Sequence, residues 1–135
     1  MASLLKVDAI TGVTTAGSIS VTGEGNSTTT NLQQGLAKSW VYAQQRTATV
    51  GVKDSFNVAS WVDSTTGESL TNFTNVMSNT TYNIIVGHNY NNDAKIGCKD
   101  GVPLSTSQLK HRDYDYTGTS YDCDFVYNLV HGDLA

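Results

Sequence analysis

Apolar and polar residues alternate along several short stretches of the chain, a period of two that is typical of β-strands with one buried face. The clearest stretches are residues 39–43, 55–62, 82–90 and 123–131. Apart from one helical turn predicted within residues 31–38, the pattern contains no helical heptads and no βαβ alternation. We therefore predict an all-β fold, an antiparallel, jelly-roll-like β-sandwich of roughly seven to nine strands.

The stretch 36–62 holds both tryptophans, Trp40 and Trp61, and two of the alternating runs. We predict that it forms the inner wall of the β domain, with the tryptophans as core or intersubunit anchors. Within it, residues 55–62 are expected to form one continuous strand. The DSTTGE loop that follows is a predicted hairpin, in which Gly67 supplies the positive φ of the turn.

The first part of the chain, residues 1–31, contains short apolar segments separated by Gly and Thr. It cannot bury enough surface to fold alone. We predict an extended N-terminal β stalk or anchor segment in which three copies share one thin axis, with a flexible tail as the alternative. Residues 32–135 then form the sandwich domain. The apolar residues expected to anchor the assembly are Leu5, Val7, Ile10, Ile19 and Val21.

Composition supports this picture and excludes several functions. The 135 residues fit one domain with a modest core, and the apolar share of 39% is below the usual roughly 45–50%. A buried face completed by other copies of the chain would account for the difference.

With 15% charged residues and a net charge of −4, a basic surface for nucleic acid is excluded. No apolar run approaches the roughly 20 residues that a membrane span needs. The first residues lack a secretory signal, so assembly in a cytoplasm is expected.

The residues that could carry chemistry form no recognised motif. His88, His111 and His131 fall on different predicted strands, away from metal-ligand spacing, so we expect surface or interface histidines and neither metal nor cofactor. Nucleophile and phosphate-loop motifs are missing, and we predict that the protein is not an enzyme. Cys98 and Cys123 are either two reduced, buried thiols or a bridge formed after release from a cell.

The segment 113–124, DYDYTGTSYDCD, is acidic, rich in Tyr and prone to turns. Three interpretations remain open: a solvated loop, a bound cation, or a recognition surface. The order of its acidic residues differs from the twelve-residue calcium loop. Tyr, Asp and Asn side chains stack on and hydrogen-bond to sugars. The candidate receptor or glycan contacts are Tyr90, Asn91, Asn92, Tyr114, Asp115, Tyr116 and Tyr121.

Several motifs in the chain resemble a module that is frequent in tailed bacteriophages, especially phages of marine bacteria and cyanobacteria. They are GLAKSWV, DSFNVAS, a following TG turn, NFT, Tyr82 with its apolar strand, and the closing VYNLVHGD. The module usually ends tail-fibre-like and other virion structural proteins. The similarity covers most of the chain and is weakest over residues 91–121. Two positions depart from the pattern, Thr71 before NFT and Ser78 in place of a common Pro.

The resemblance implies a homotrimer on the virion surface, with residues 1–31 attaching it to other virion proteins of the tail, neck or capsid. It further implies a fibre or appendage whose sandwich contacts the host surface, with a host glycan as a possible partner. We therefore expect a non-enzymatic virion structural protein, assembled in the host cytoplasm, that acts during adsorption. The alternative is a capsid decoration or head-fibre protein of the virion head without a specific receptor role.

Overall fold

A computed structural model describes residues 4–12, 19–22, 29–46, 49–89, 97–103, 105–115 and 117–135, with the backbone alone over 33–34 and 97–103. The chain divides into two compact units, Met1–Leu36 and Ala37–Ala135. Strands make up nearly all of the regular secondary structure in the described residues, which confirms the all-β prediction. The single helical turn among them is far too short to cross a membrane.

The first unit contains one small hairpin and the helical turn. Strand β1 (Ser20–Thr22) pairs antiparallel with β2 (Thr29–Asn31), and helix α1 (Leu32–Gly35) follows at once. The amide of Leu32 donates a hydrogen bond of 2.9 Å to the carbonyl of Ile19. Of the predicted anchor residues, Ile19 is half-buried, and the other four are exposed: Leu5, Val7, Ile10 and Val21. The stalk and the trimer stay predictions.

The second unit consists of two four-stranded antiparallel sheets, as expected for a β-sandwich. The first sheet has the order β4-β3-β10-β7, and the second has the order β5-β6-β9-β8. The strands of the first sheet are β3 (Ser39–Gln44), β4 (Gly51–Phe56), β7 (Asn83–Asn89) and β10 (Phe125–His131). Those of the second are β5 (Val58–Thr65), β6 (Glu68–Phe73), β8 (Gly97–Pro103) and β9 (Gln108–Tyr114).

The predicted continuous strand over 55–62 is wrong, because the chain turns at Asn57 with a φ of 56°. Strand β4 ends before this residue and β5 begins after it, in the other sheet. Asn tolerates the left-handed region, and its amide group stabilises the turn. Its Nδ2 donates to the carbonyls of Lys38 and Asn75, at 2.8 and 3.0 Å, and its Oδ1 accepts from the Asn75 amide at 2.6 Å. The segment 36–62 therefore contributes to both sheets and is not one inner wall.

The predicted hairpin at Gly67 is confirmed, with a φ of 71° between β5 and β6. This turn is packed tightly against the end of β9. A Cβ atom on Gly67 would lie 2.6 Å from the Asp113 carbonyl oxygen and 2.8 Å from the Tyr121 nitrogen. The Gly67 amide donates to Asp122 Oδ1 at 2.6 Å, and its carbonyl accepts from the Asp113 amide at 2.9 Å.

Two apolar clusters fill the space between the sheets. The first core cluster consists of Phe73, Met77, Tyr82, Leu109 and Val130. The second core cluster consists of Val41, Ala43, Cys123 and Val126, with Val58, Trp61 and Tyr121 packed against it. Cys123 is a buried, reduced thiol, while the side chain of Cys98 lies outside what the structure describes, so its burial stays a prediction. The two clusters meet at a layer of buried polar side chains, because Asn128 lies between Val126 and Val130 on the inner face of β10.

Candidate functional site

Strand alternation brings a set of polar side chains into the interior of the sandwich. On β9 the inward positions are Leu109, His111 and Asp113. On the first sheet His88 enters from β7, directly opposite Val126 of β10. The side chains of His88, His111 and Asp113 are 2%, 0% and 1% exposed. We call these three residues, together with Thr71 and Asn128, the polar cluster.

The polar cluster is centred on one carboxylate oxygen. Asp113 Oδ1 lies 2.9 Å from His111 Nε2 and 2.9 Å from His88 Nδ1. On its other side the His111 ring has its Nδ1 2.6 Å from Asn128 Oδ1. Asn128 Nδ2 in turn donates to Thr71 Oγ1 at 3.4 Å. The contacts run from β7 and β10 of one sheet to β6 and β9 of the other, so they hold the two sheets in register.

Part of this cluster has no aligned hydrogen bond. The distance from His88 Nδ1 to Asp113 Oδ1 suits one, but the oxygen lies off the direction of the ring N–H, and we regard the pair as a close contact. Among the described residues, neither ring nitrogen of His88 has a hydrogen-bond partner, and neither does Asp113 Oδ2. Leaving such a buried atom unsatisfied costs about 1–3 kcal/mol. Three of them at one point mark the cluster as a candidate ligand site.

Sequence reasoning missed this cluster. The prediction of surface or interface histidines is wrong for His88 and His111, whose side chains are buried. His131 is half-buried at the end of β10, and for this residue the prediction stands untested. A usable signal was the spacing of His111 and Asp113, two residues apart on one strand, which puts both side chains on the same face. The proximity of His88 depends on the packing of the two sheets and has no local signal. The absence of a metal stays a prediction.

The predicted recognition loop is described in part. Tyr90, Asn91, Asn92 and Tyr116 lie outside the described residues. Tyr114 is half-buried in β9 and forms an isolated bridge with Ser120, and Tyr121 packs on the second core cluster. The structure therefore places these two tyrosines in the fold, and their contact with a receptor stays a prediction.

Asp115 stabilises its own turn. Its Oδ1 accepts hydrogen bonds from the Thr117 amide at 2.8 Å, the Thr117 hydroxyl at 2.6 Å and the Thr119 amide at 2.9 Å. These bonds, that of the Thr117 hydroxyl first, hold the pKa of Asp115 below its usual value. The neighbouring acids are directed elsewhere, since Asp113 points into the interior and Asp122 accepts the Gly67 amide.

The outer face of the first sheet carries large apolar side chains. One row crosses all four strands, where Phe56 pairs with Trp40, Trp40 with Leu129, and Leu129 with Ile85. In the next rows Tyr42 stacks on Tyr127, with ring centroids 5.1 Å apart, and contacts Phe125 at 5.2 Å. We call this surface the aromatic face: Trp40, Tyr42, Phe56, Ile85, Phe125, Tyr127 and Leu129. Phe56, Ile85 and Tyr127 are 52%, 55% and 40% exposed.

Gly87 leaves an open depression within the aromatic face. It lies opposite Tyr127 in the register of β7 and β10. The depression of about 360 Å³ is lined by five residues of the aromatic face and by four neighbouring residues of the same strands, Val41, Val86, Gly87 and Asn128. Polar residues surround this apolar centre, with Gln44 and Asn89 paired to Phe125 and Asp54 paired to Tyr42. An apolar centre with a polar rim is the usual arrangement of a protein interface.

The outer face of the second sheet is different in character. Glu68 pairs with Lys110 and with Arg112, each at 3.0 Å. Burial alone would raise the pKa of Glu68, but the hydrogen bonds from these two cations and from Ser64 outweigh it, and the pKa is lowered. Beside them Gln108 donates to Asn72 at 2.7 Å, and Asn72 donates to Ser60 at 2.8 Å. On the described side chains of β5, β6 and β9, this face therefore carries polar groups that pair with one another.

Comparison of the chain with protein-family models, with curated proteins and with solved structures found no match.

Proposed function

We propose that the chain is a non-enzymatic virion structural protein of a tailed bacteriophage, a trimeric fibre or appendage whose β-sandwich contacts the host surface during adsorption. The motif resemblance described above suggests the virion setting. The aromatic face supports the assembly, because contiguous exposed apolar surface on a small domain marks a site of protein association. That face is the single observation on which the proposed assembly rests.

The occupant that we propose for the aromatic face is another copy of the chain. The seven side chains of the aromatic face carry no charge, and Asp54 is paired with Tyr42 at its edge, so the face does not select a strongly charged partner. The described outer side chains of the opposite sheet include ion pairs and amide hydrogen bonds, so that face is more polar. The apolar share of 39% is low, and association would add buried apolar surface that a single copy lacks.

Sedimentation and native mass at low micromolar concentration test the assembly, and a trimer is the expected result. Ile85→Lys places a charge in the apolar row of the aromatic face, and since the side chain is 55% exposed the fold should survive. Val62→Lys is the matched control, a substitution on the second sheet at a residue that is 45% exposed. We expect Ile85→Lys to give folded monomers and Val62→Lys to remain trimeric. A wild-type chain that is a stable monomer contradicts the proposal.

One observation favours the alternative, a capsid decoration or head-fibre protein without a receptor role. Two of the described recognition candidates make contacts within the domain: Asp115 stabilises its own turn, and Tyr121 packs on the second core cluster. Adsorption of particles that carry Tyr114→Ala with Tyr116→Ala separates the two functions. Lost adsorption with intact assembly supports host contact, and unchanged adsorption supports the decoration role.

A further inference from the structure

We propose that His88, His111 and Asp113 bind a divalent transition-metal ion, Zn²⁺ in the first place, that clamps the two sheets of the sandwich together. This site is independent of the aromatic face and of the virion setting. It rests on the placement of the donor atoms, on the hydrogen-bonding direction of His111, and on the buried polar atoms that lack partners.

The donor atoms are close enough to share one ion. One ligand atom from each of the three residues lies within 4.8 Å of the other two, and the contacts to Asp113 Oδ1 are 2.9 Å long. Zinc bonds to nitrogen and oxygen of about 2.0–2.2 Å in a tetrahedron require ligand atoms roughly 3.4 Å apart. Each imidazole nitrogen would therefore have to move about half an ångström away from Asp113 Oδ1 to admit the ion.

In the orientation that Asn128 adopts, the surroundings of His111 favour a cation between its Nε2 and the carboxylate. Asn128 Nδ2 donates to Thr71, so Asn128 Oδ1 faces His111 and can only accept. His111 Nδ1 must then carry hydrogen, and in the neutral ring Nε2 is left with a lone pair. That lone pair faces Asp113 Oδ1, another acceptor, at 2.9 Å. What joins the two atoms is either a proton, held by the ring or by the carboxylate, or a metal ion.

The remaining atoms of the cluster favour the metal. A second proton on His111 satisfies one contact and leaves both ring nitrogens of His88 and Asp113 Oδ2 without aligned partners in the part of the interior that the structure describes. A metal ion uses a His88 nitrogen and the carboxylate as ligands at once. A ligating His commonly donates its other N–H to an oxygen that fixes the ring, and Asn128 is placed to accept it.

The chemistry of the donor set selects the class of ion. Two imidazoles and one carboxylate suit Zn²⁺ and its first-row neighbours and are poor ligands for Ca²⁺, which prefers six to eight oxygens. All three side chains are almost completely buried and come from both sheets, His88 from β7 and the other two from β9. The ion would accordingly be a structural clamp, bound as the sandwich forms.

The full-length protein tests the site directly. The chain is stripped of metal in denaturant with a chelator and refolded with Zn²⁺ alone, with Co²⁺ alone, or with chelator. We expect about one zinc per chain, the visible bands of tetrahedral Co²⁺, and a raised Tm with either metal. X-ray absorption of the zinc-loaded wild type should show two imidazole ligands, and this result needs no variant.

Two substitutions locate the ion. His88→Gln and Asp113→Asn should each lower the bound zinc at least tenfold, whereas His131→Gln, a half-buried histidine outside the cluster, should retain it. Refolded wild type without zinc and without a Tm shift overturns the proposal. Zinc that is lost equally in His131→Gln, or an absorption spectrum without two imidazoles, also overturns it.

Discussion

Gly67→Ala tests the tight packing of the β5–β6 turn against the end of β9. At a φ of 71° an alanine pays about 1–2 kcal/mol for the left-handed backbone. Its Cβ would lie 2.6 Å from the Asp113 carbonyl oxygen and 2.8 Å from the Tyr121 nitrogen. Both are main-chain atoms that cannot rotate away, so the turn has to shift. The shift weakens the two hydrogen bonds of Gly67 to Asp113 and Asp122, at about 1 kcal/mol each.

These terms together predict a loss of about 3–4 kcal/mol in the free energy of unfolding, a large part of the 5–15 kcal/mol that is usual for a domain. Urea denaturation, followed by the fluorescence of Trp40 and Trp61, measures the loss. Gly118→Ala is the matched control, because Gly118 has a φ of 86° with open space around the position of a Cβ atom. It should lose only the backbone term of about 1–2 kcal/mol.

The difference between the two variants isolates the steric contact from the cost of the dihedral angle. We expect about 2 kcal/mol, which corresponds to a shift of about 1 M in the urea midpoint at a typical slope. Equal losses in Gly67→Ala and Gly118→Ala would refute the argument that the turn is packed against β9.

Three further predictions concern single polar side chains. Tyr82→Phe removes a hydroxyl that donates to two main-chain carbonyls at 3.0 Å and should cost about 1 kcal/mol in urea denaturation. Because burial raises the pKa of Tyr82 to about 12, the wild type should also lose stability as the pH rises from 10 through 12, a loss that is smaller in Tyr82→Phe, where only the raised pKa of Tyr127 still contributes. Glu68→Gln should cost less than 1 kcal/mol at pH 7. Since the pKa of Glu68 is lowered, the stability that it contributes is present above its unfolded pKa and declines as the pH falls. If the stability of Glu68→Gln depends on acid pH in the same way as that of the wild type, the ion pairs of Glu68 do not contribute. Asn57→Ala should cost about 2–3 kcal/mol and Asn57→Gly about 1 kcal/mol less, since glycine accepts the positive φ; equal losses would show that the side-chain hydrogen bonds decide this turn.

Local pattern was sufficient where one face of a strand is apolar. The closing strand predicted at 123–131 is β10, with Val126 and Val130 inside and Phe125, Tyr127 and Leu129 outside, as the alternation indicated. The turn at Gly67 could also be predicted, because the backbone angle it requires is a local property of glycine.

Local pattern was ambiguous where the inner face is polar. Residues 105–112 could not be assigned from the sequence, and they contain most of β9. The inward positions of this strand include His111 and Asp113, so the apolar alternation that marks a strand is interrupted. The break at Asn57 was hidden for a related reason, since apolar residues continue on both sides of it.

The sequence by itself determined an all-β chain, the strands with an apolar face and the hairpin at Gly67. Only the tertiary structure decided that Trp40 faces outward, that 36–62 crosses between sheets, and that His88 meets His111 and Asp113. The physical reason is that alternation fixes which residues share a face of a strand, whereas sheet order and the packing of one sheet on the other fix which faces meet. His88 and Asp113 are distant in sequence, and only this packing makes them neighbours.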